Sequence, residues 1–281
     1  MSPSSDSTAA AGSASADAVV VDRPRDQIAR ITLNRPDRRN AMNADLLAGL
    51  YDALGDLRED SSCRVIILTG AGSGFCAGLD LAEGVKLPNL EGMGRARAGM
   101  RVQQYIAGLI PLMRSQPQPI ISAVNGAASG GGLALALGSD IRIAAASARF
   151  NVAFIKVGLS ACDIGTSWIL PRLIGASRAY ELMLTGRFVD AEEAFRIGLV
   201  TQIAPDDQLI DAAIAEAELI LGNGPFGVRM TKEVMWSQLE IGSMQAGIDL
   251  ENRTQILSSF AGDMEEAMAA FLEKRPPNFS G

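Results

Sequence analysis

Short apolar runs of β-type alternate with helix-type periodicity between Val19 and about Ala204. Residues 28–33 alternate as a strand does, and the apolar runs 65–68 and 120–124 are predicted to be buried strands. Leucines after Asn43 recur at a spacing of three or four, so they share one helix face, and Asn43 is the predicted N-cap. This alternation is typical of an α/β layer architecture.

Beyond Ala204 the pattern is purely helical, with predicted starts at Asp206, Pro225 and Asp263. We therefore predict three parts: a disordered tail over 1–18, an α/β core over 19–204 and a helical region over 205–281. The tail is almost entirely Ser, Ala, Thr, Gly and Asp, which bury too little apolar surface to offset the entropy lost on ordering. A signal peptide is not expected, because no apolar segment precedes the first basic residue, Arg23.

Composition narrows the possible chemistry. The net charge of -7 argues against a nucleic-acid partner. The absence of histidine removes Ser-His and Cys-His nucleophile pairs and the commonest metal ligand. Cys63, Cys76 and Cys162 have no C-x-x-C spacing, so neither a zinc site nor a disulfide framework is expected. Since no apolar run approaches a membrane span, we predict a soluble, cytoplasmic protein.

A glycine-rich element follows the strand at 120–124. Gly130, Gly131 and Gly132 precede an apolar helix start at Leu133. The first N–H groups of a helix have no internal partner, so this element predicts an oxyanion or phosphate site. The alternative is a helix start that uses glycine only for packing. A dinucleotide fingerprint at 70–75 is not supported, because the third glycine is replaced by Phe75.

Two stretches together resemble the enoyl-CoA hydratase/isomerase (crotonase) family: G-F-C-A-G-L-D-L at 74–81 and A-A-S-G-G-G at 127–132. Further landmarks of that family match in order. They are L-N-R-P at 33–36, N-A-M-N at 40–43, L-T-G at 184–186, the segment 191–200 and A-F-L-E-K-R at 270–275. The resemblance implies a spiral of β-β-α turns and a helical C-terminal region that forms a homotrimer or a dimer of trimers. It also implies an acyl-CoA substrate, with no cofactor beyond the coenzyme A of that substrate.

The resemblance further implies roles for individual residues. The backbone N–H groups of Leu79 and Gly131 would polarise the thioester carbonyl and hold the enolate that forms. The residues expected to bind coenzyme A are Arg35, Arg38, Arg39, Ala77, Asp80, Phe271 and Lys274. For the arginines the alternative is a solvated salt bridge, and Asp80 is expected to satisfy loop backbone donors rather than to act in catalysis.

Hydratases of the family carry two glutamates, and the matching positions here are Ala134 and Phe154. Hydration needs one group to activate water and another to protonate carbon, so the two-glutamate route is not available. Asp163 falls where dienoyl-CoA isomerases keep an aspartate and close to the nucleophilic aspartate of 4-chlorobenzoyl-CoA dehalogenase. The alternative is that Asp163 caps a helix starting near Thr166.

Lesser candidates for chemistry are Glu83, Glu91 and Lys156, each of which is expected to be a solvated charge. The predicted function is double-bond isomerisation, or weak hydration, of an unsaturated acyl-CoA. Two alternatives stay open. One is an acyl-CoA hydrolase or dehalogenase that uses Asp163, and the other is a non-catalytic acyl-CoA-binding protein.

For assembly, we expect apolar residues beyond about Asp206 to be buried against symmetry mates. The side chains expected there are Ile210, Ile214, Leu219 and Leu221.

Overall fold

A computed structural model describes residues 17–279. In that range the strands are β1 (Val19–Arg25), β2 (Ile28–Leu33), β3 (Val65–Gly70), β4 (Gly74–Cys76), β5 (Ile120–Val124), β6 (Ala127–Ser129), β7 (Ile141–Ala145), β8 (Arg149–Asn151), β9 (Val189–Asp190) and β10 (Gln202–Ala204). The helices are α1 (Ala44–Glu59), α2 (Arg95–Ala107), α3 (Leu109–Arg114), α4 (Gly131–Gly138), α5 (Thr166–Ile174), α6 (Ala176–Thr185), α7 (Ala191–Arg196), α8 (Leu209–Leu221), α9 (Pro225–Gln238), α10 (Met244–Ser259) and α11 (Asp263–Glu273). Short 3-10 helices lie at Pro36–Arg38, Ala153–Val157 and Asp206–Gln208.

Two sheets run through the core. The larger sheet has the order β1-β2-β3-β5-β7-β10, and the smaller has the order β4-β6-β8-β9. Successive strands alternate between them: β3 is followed by β4, β5 by β6 and β7 by β8, and helices return the chain to the larger sheet. Each repeat is therefore a β-β-α turn, as the spiral predicted from the sequence requires.

The order of the strands follows from their side chains. Strands β3 and β5 are buried along their whole length and lie inside the parallel part of the larger sheet. Edge strand β1 pairs antiparallel with β2 and keeps exposed side chains. Asn43 caps α1 as predicted, since its side-chain oxygen accepts the Leu46 N–H at 3.0 Å.

The first residues that the structure describes are already hydrogen-bonded to Asn34, the residue that follows β2. The backbone carbonyl of Ala18 accepts the Asn34 N–H at 2.7 Å, and the carbonyl of Asp17 accepts the Asn34 side-chain amide at 2.9 Å. Hydrogen bonds to the core therefore begin at Asp17 and Ala18, the last two residues of the predicted tail. Residues 1–16 and 280–281, and the rest of the tail prediction with them, lie outside the described range.

Helix α8 packs on the larger sheet against β3, β5 and β7. Two of the residues predicted for a subunit interface, Ile210 and Ile214, contact this core, as does Leu221 at the end of the helix. The prediction was wrong for Ile214, which is 8% exposed and belongs to the core of its own protomer, whereas Ile210 and Leu221 are only partly buried against that core. Only Leu219, which is 71% exposed, points away from it.

The C-terminal helices α9, α10 and α11 pack on one another. A buried ion pair ties α9 to the sheet: Lys232 Nζ lies 2.8 Å from Asp140 Oδ2, and Trp236 Nε1 donates to Asp140 Oδ1 at 2.9 Å. Large apolar side chains remain exposed on and beside α10 and α11, among them Phe260, which follows α10, and Phe271 on α11. Across residues 17–279, the helices are all too short or too polar to span a bilayer.

Candidate active site

The smaller sheet brings the glycine-rich element and the 74–81 segment together. Strands β4 and β6 are parallel neighbours, with Gly74 opposite Ala127 and Cys76 opposite Ala128. Because the carboxyl ends of parallel neighbours lie at one edge, the residues after β4 and after β6 emerge side by side. Those residues are Leu79 and Gly131.

The hydrogen-bond pattern leaves the predicted donors unpaired. Met42 pairs with the 74–81 segment: its N–H donates to the Gly78 carbonyl at 2.7 Å, and its carbonyl accepts the Asp80 N–H at 2.9 Å. The N–H of Leu79, which lies between these two bonds, has no acceptor within residues 17–279, and neither does the N–H of Gly131 at the start of α4. Two unpaired backbone donors on adjacent segments can bind an oxyanion.

Glycine is required in both segments at the junction where the 74–81 segment meets the glycine-rich element. Gly78 has a φ of +93°, and a Cβ there would lie 2.8 Å from the Ser129 carbonyl oxygen and 3.3 Å from the Gly131 nitrogen. Gly130 has a φ of +51°, and a Cβ on Gly132 would overlap the backbone carbonyl of Cys76. These contacts leave no room for side chains, so the two segments approach at backbone distance. At Gly131 itself, an added Cβ would overlap only the flexible end of Met42.

Asp163 lies in the loop before α5. Its Oδ1 accepts the side-chain amide of Gln103 at 2.5 Å and the backbone N–H of Ile164 at 2.8 Å. The alternative reading as a helix cap is not what the structure contains. The N-cap of α5 is Gly165, and only the backbone carbonyl of Asp163 meets the helix, where it accepts the Thr166 N–H at 2.8 Å.

Ile164 connects Asp163 to the junction of the two segments. A Cβ on Gly131 would lie 3.5 Å from Ile164 Cδ1. Ile164 also has a φ of +46°, which is a strained conformation for a β-branched residue. Strain of this kind persists only where the surrounding structure holds it in place, so the Asp163 loop is fixed beside the unpaired donors.

The model of the family Enoyl-CoA hydratase/isomerase matches residues 23–281. The chain belongs to this family. It is 45% identical over 263 residues to a probable enoyl-CoA hydratase of Mycobacterium tuberculosis, covering 93% of this chain and 92% of that protein. It is 40% identical over 252 residues to the 1,2-epoxyphenylacetyl-CoA isomerase of Escherichia coli, covering 89% of this chain and 94% of that protein. A solved structure of a probable enoyl-CoA hydratase/isomerase from Mycobacterium abscessus has a TM-score of 0.88 at 41% identity, covering 94% of this chain and 98% of that chain. The predicted crotonase-like fold is confirmed.

The two positions that the family resemblance assigns to glutamates are apolar in this enoyl-CoA hydratase/isomerase family member. Ala134 is fully buried inside α4. Phe154 follows β8, the neighbour of β6, and its ring lies 3.5 Å from where a Cβ on Gly130 would be. Ala134 therefore lies within α4 and Phe154 lies beside its start. Neither side chain can accept or donate a proton.

The residues expected to bind coenzyme A fall into two groups. Arg35 is engaged inside the protein: its Nη1 lies 3.0 Å from Asp80 Oδ2, and its Nη2 lies 2.8 Å from Glu83 Oε1. This arrangement is a salt bridge, as in the alternative, but the Arg35 side chain is only 13% exposed and the pair with Asp80 is not solvated. Arg38 and Arg39 are exposed and form no ion pair with any residue from 17 to 279. Arg39 adjoins the site, since its carbonyl accepts the N–H of the exposed Ala77 at 3.0 Å.

Asp80 supports the loop, as the sequence suggested. Its Oδ1 accepts the N–H groups of Ala82 and Glu83, each at 3.1 Å. The bond from the Glu83 N–H is the main cause that lowers the pKa of Asp80, and the Arg35 guanidinium adds to it. Glu83 is itself occupied by Arg35 and Asn43. Asp80 therefore fixes the turn after Leu79 instead of facing a substrate.

The remaining candidates lie at the surface or are chemically inert. Glu91 and Lys156 are exposed. Phe271, which is 84% exposed, and Lys274 lie on or next to the outer helix α11. Complete burial raises the pKa of the Cys76 thiol to about 12, so this cysteine cannot serve as a nucleophile.

Two residues at the site were missed by sequence reasoning. Gln103 meets Asp163 from α2, sixty positions away, and nothing in the spacing of either residue indicates the pair. Met42 covers Gly131 with its terminal methyl group. It belongs to the N-A-M-N landmark at 40–43, but its contact depends on how two turns of the spiral pack.

A large, mostly apolar cavity lies away from these residues. It has a volume of about 800 Å³ and lies at the amino ends of β5 and β7, beneath α9 and α11. The unpaired donors instead follow the carboxyl ends of the strands of the smaller sheet. The donors and Asp163, and not this cavity, therefore mark the candidate active site.

Proposed function

We propose that this protein isomerises the double bond of an unsaturated acyl-CoA by moving one proton. The N–H groups of Leu79 and Gly131 hold the thioester oxygen, and Asp163 is the acid and base. One observation carries this proposal. Two free backbone N–H groups lie beside the loop of one carboxylate, Asp163, while apolar side chains occupy positions 134 and 154.

The proposed reaction has two proton transfers. The Asp163 carboxylate takes a proton from the carbon next to the thioester carbonyl of a β,γ-unsaturated acyl-CoA. The electrons of the broken C–H bond form a C=C bond, and the carbonyl π electrons move onto oxygen, giving an enolate. The two N–H groups stabilise that charge, each by about 3–4 kcal/mol. Asp163 then returns the proton to the γ-carbon, the carbonyl re-forms, and the double bond lies in conjugation with it.

Hydration is disfavoured by the same arrangement. It needs a base for water and an acid for carbon at the same time, whereas isomerisation uses one group in both roles in turn. Ala134 and Phe154 supply neither group. The 40% identity to the 1,2-epoxyphenylacetyl-CoA isomerase of Escherichia coli supports an isomerase reaction on an acyl-CoA thioester.

For coenzyme A, Arg38 and Arg39 are the proposed phosphate contacts beside the site. Both are exposed cations, and the backbone carbonyl of Arg39 accepts the N–H of Ala77. Phe271 and Lys274 are proposed to act through assembly. Their exposure on α11 suits contact with another copy of the chain, and we propose a homotrimer or a dimer of trimers.

Turnover over a panel of β,γ- and α,β-unsaturated acyl-CoA thioesters tests the proposal, with crotonyl-CoA hydration measured in parallel. Asp163→Asn should lower isomerase kcat by roughly 10²–10⁴-fold, the effect of removing a general acid-base group. The matched control is Glu91→Gln, which makes the same charge change on an exposed loop and should leave kcat unchanged.

The wild-type protein should hydrate crotonyl-CoA far more slowly than it isomerises its best substrate. Ordinary hydratase rates would refute the placement of the site. Tight acyl-CoA binding without turnover of any thioester would instead indicate the non-catalytic binding protein.

A further inference from the structure

We infer that Gln103 is a positioning residue that fixes the Asp163 carboxylate and leaves Oδ2 as the oxygen that carries the proton. The inference rests on the proposed function, since it assigns a role within that same reaction. It adds a residue from α2, an element that supplies none of the other proposed site residues.

The contact joins two parts of the chain that no local structure forces together. Gln103 lies in the second half of α2, and Asp163 lies in the loop before α5. Their side chains meet with Gln103 Nε2 2.5 Å from Asp163 Oδ1. A carboxylate can only accept hydrogen bonds, so the amide nitrogen, not the amide oxygen, must face it.

The two donors to Asp163 converge on the same oxygen. Oδ1 receives both the Gln103 amide and the Ile164 N–H. Among residues 17–279, none donates a hydrogen bond to Oδ2. With Oδ1 held by two bonds, the lone pairs of Oδ2 are the ones available to accept a proton from the substrate.

The strained loop is held by packing and by a hydrogen bond from a separate helix, since the Ile164 side chain lies in the core and Gln103 binds Asp163. Ile164 is held at a φ of +46°, and without outside contacts the loop would relax toward negative φ. The Ile164 N–H that bonds Oδ1 depends on this conformation. The Gln103 bond, made from a separate helix, is therefore a restraint on the orientation of Asp163.

A double-mutant cycle on the full-length protein tests the role. Gln103→Leu removes the donor and should lower kcat by about 10-fold, the range expected for a hydrogen bond to a charged group, with the acyl-CoA Kd within about twofold of wild type. Gln103→Glu should lower kcat further, because a second carboxylate cannot donate and repels Asp163. In an Asp163→Asn background, Gln103→Leu should cause no further loss, because the residue acts only through Asp163.

The matched control is Gln104→Leu. Gln104 is the next residue on α2, is exposed, and makes no side-chain hydrogen bond with residues 17–279, so kcat should not change. Thermal melting of every variant shows that it is folded; Gln103 is exposed, so its substitution should cost little stability.

Three outcomes are distinguishable. If Asp163→Asn abolishes turnover but both Gln103 variants keep wild-type kcat, the inference is overturned and the proposed function stands. Equal losses from Gln103→Leu in the wild-type and Asp163→Asn backgrounds also overturn it, since Gln103 would then act elsewhere. If Asp163→Asn keeps full turnover, both the inference and the proposed base fail.

Discussion

Gly131→Ala separates a glycine that supplies an oxyanion donor from a glycine that only allows packing. The added methyl group would overlap one neighbour, the Cε atom of Met42. Its other near atoms, Ile164 Cδ1 at 3.5 Å and Gly78 Cα at 3.7 Å, are at ordinary contact distances. From the sequence we expect a methyl group here to be tolerated at modest cost. The structure makes that cost depend on whether the buried Met42 side chain can move.

The magnitude follows from the kind of overlap. Met42 has three rotatable bonds and can adjust its end, so the cost should be that of ordinary overpacking, about 1–3 kcal/mol. For a chain of this size that corresponds to a fall in Tm of roughly 2–12 °C. Alanine keeps the backbone N–H, but its methyl group would intrude on a thioester oxygen bound there. If that oxygen is displaced from the Gly131 N–H, kcat should fall by about 10²–10³-fold, the cost of losing one oxyanion donor and far more than the unfolded fraction can explain.

Two companion variants separate the effect of Gly131→Ala on turnover from its effect on packing. Gly138→Ala is the matched control, because it makes the same change in the same helix and meets only flexible side chains, Ile110 Cδ1 at 3.1 Å and Met113 Sδ at 3.4 Å. It should keep full activity. Met42→Ala should cost about 2–5 kcal/mol alone and less than that in combination with Gly131→Ala, since the new methyl group fills part of the cavity.

Differential scanning calorimetry, acyl-CoA titration and steady-state turnover on one preparation of each variant decide the question. A folded Gly131→Ala protein with wild-type affinity and kcat would refute the oxyanion role. A loss of turnover that Met42→Ala restores in the double variant would show that Met42, displaced by the methyl group, blocked the site.

Two further predictions concern assembly and acid stability. Sedimentation equilibrium at micromolar concentration should show a trimer or hexamer, and a wild-type monomer would contradict this prediction. Phe260→Glu, between α10 and α11, should weaken the assembly, because this 83% exposed ring is expected to be covered by an apolar surface of another subunit. Backbone hydrogen bonds lower the pKa of Asp80 from its ordinary 3.8, so its contribution to stability is fully present above pH 3.8 and is lost as pH falls through the lowered pKa. The Tm values of wild type and Asp80→Asn should therefore differ at neutral pH and converge in strong acid, and a constant difference would count against the role of Asp80 in the loop.

Local sequence signals predicted the elements that depend on local chemistry. The Asn43 cap, the strand–glycine–helix order around Gly131 and the helix starts at Pro225 and Asp263 all appear in the structure. Each is determined by residues within a few positions of one another. The prediction that Ile214 would be buried at an interface was wrong, because an apolar helix face looks the same whether a sheet of its own protomer or another subunit covers it.

The site depends on contacts that sequence spacing does not encode. Arg35 matched a coenzyme A-binding motif, yet its partners Asp80 and Glu83 lie 45 and 48 positions away. The Gln103–Asp163 pair depends on how α2 folds over the spiral. Motifs could identify which backbone groups face the substrate, but the side chains that hold them come from other turns of the spiral.

The register between those turns sets the geometry of the donors. The Leu79 and Gly131 N–H groups belong to successive turns, and the distance between them is fixed where Gly132 lies against the Cys76 carbonyl and Gly78 lies against the Ser129 carbonyl. A side chain at either glycine would push the turns apart and separate the two donors. The same backbone contacts therefore maintain both the core of the spiral and the oxyanion site, and stability and catalysis should be lost together at Gly78 and Gly132. At Gly131 the only overlap is with a movable methionine, so the two properties can be separated there.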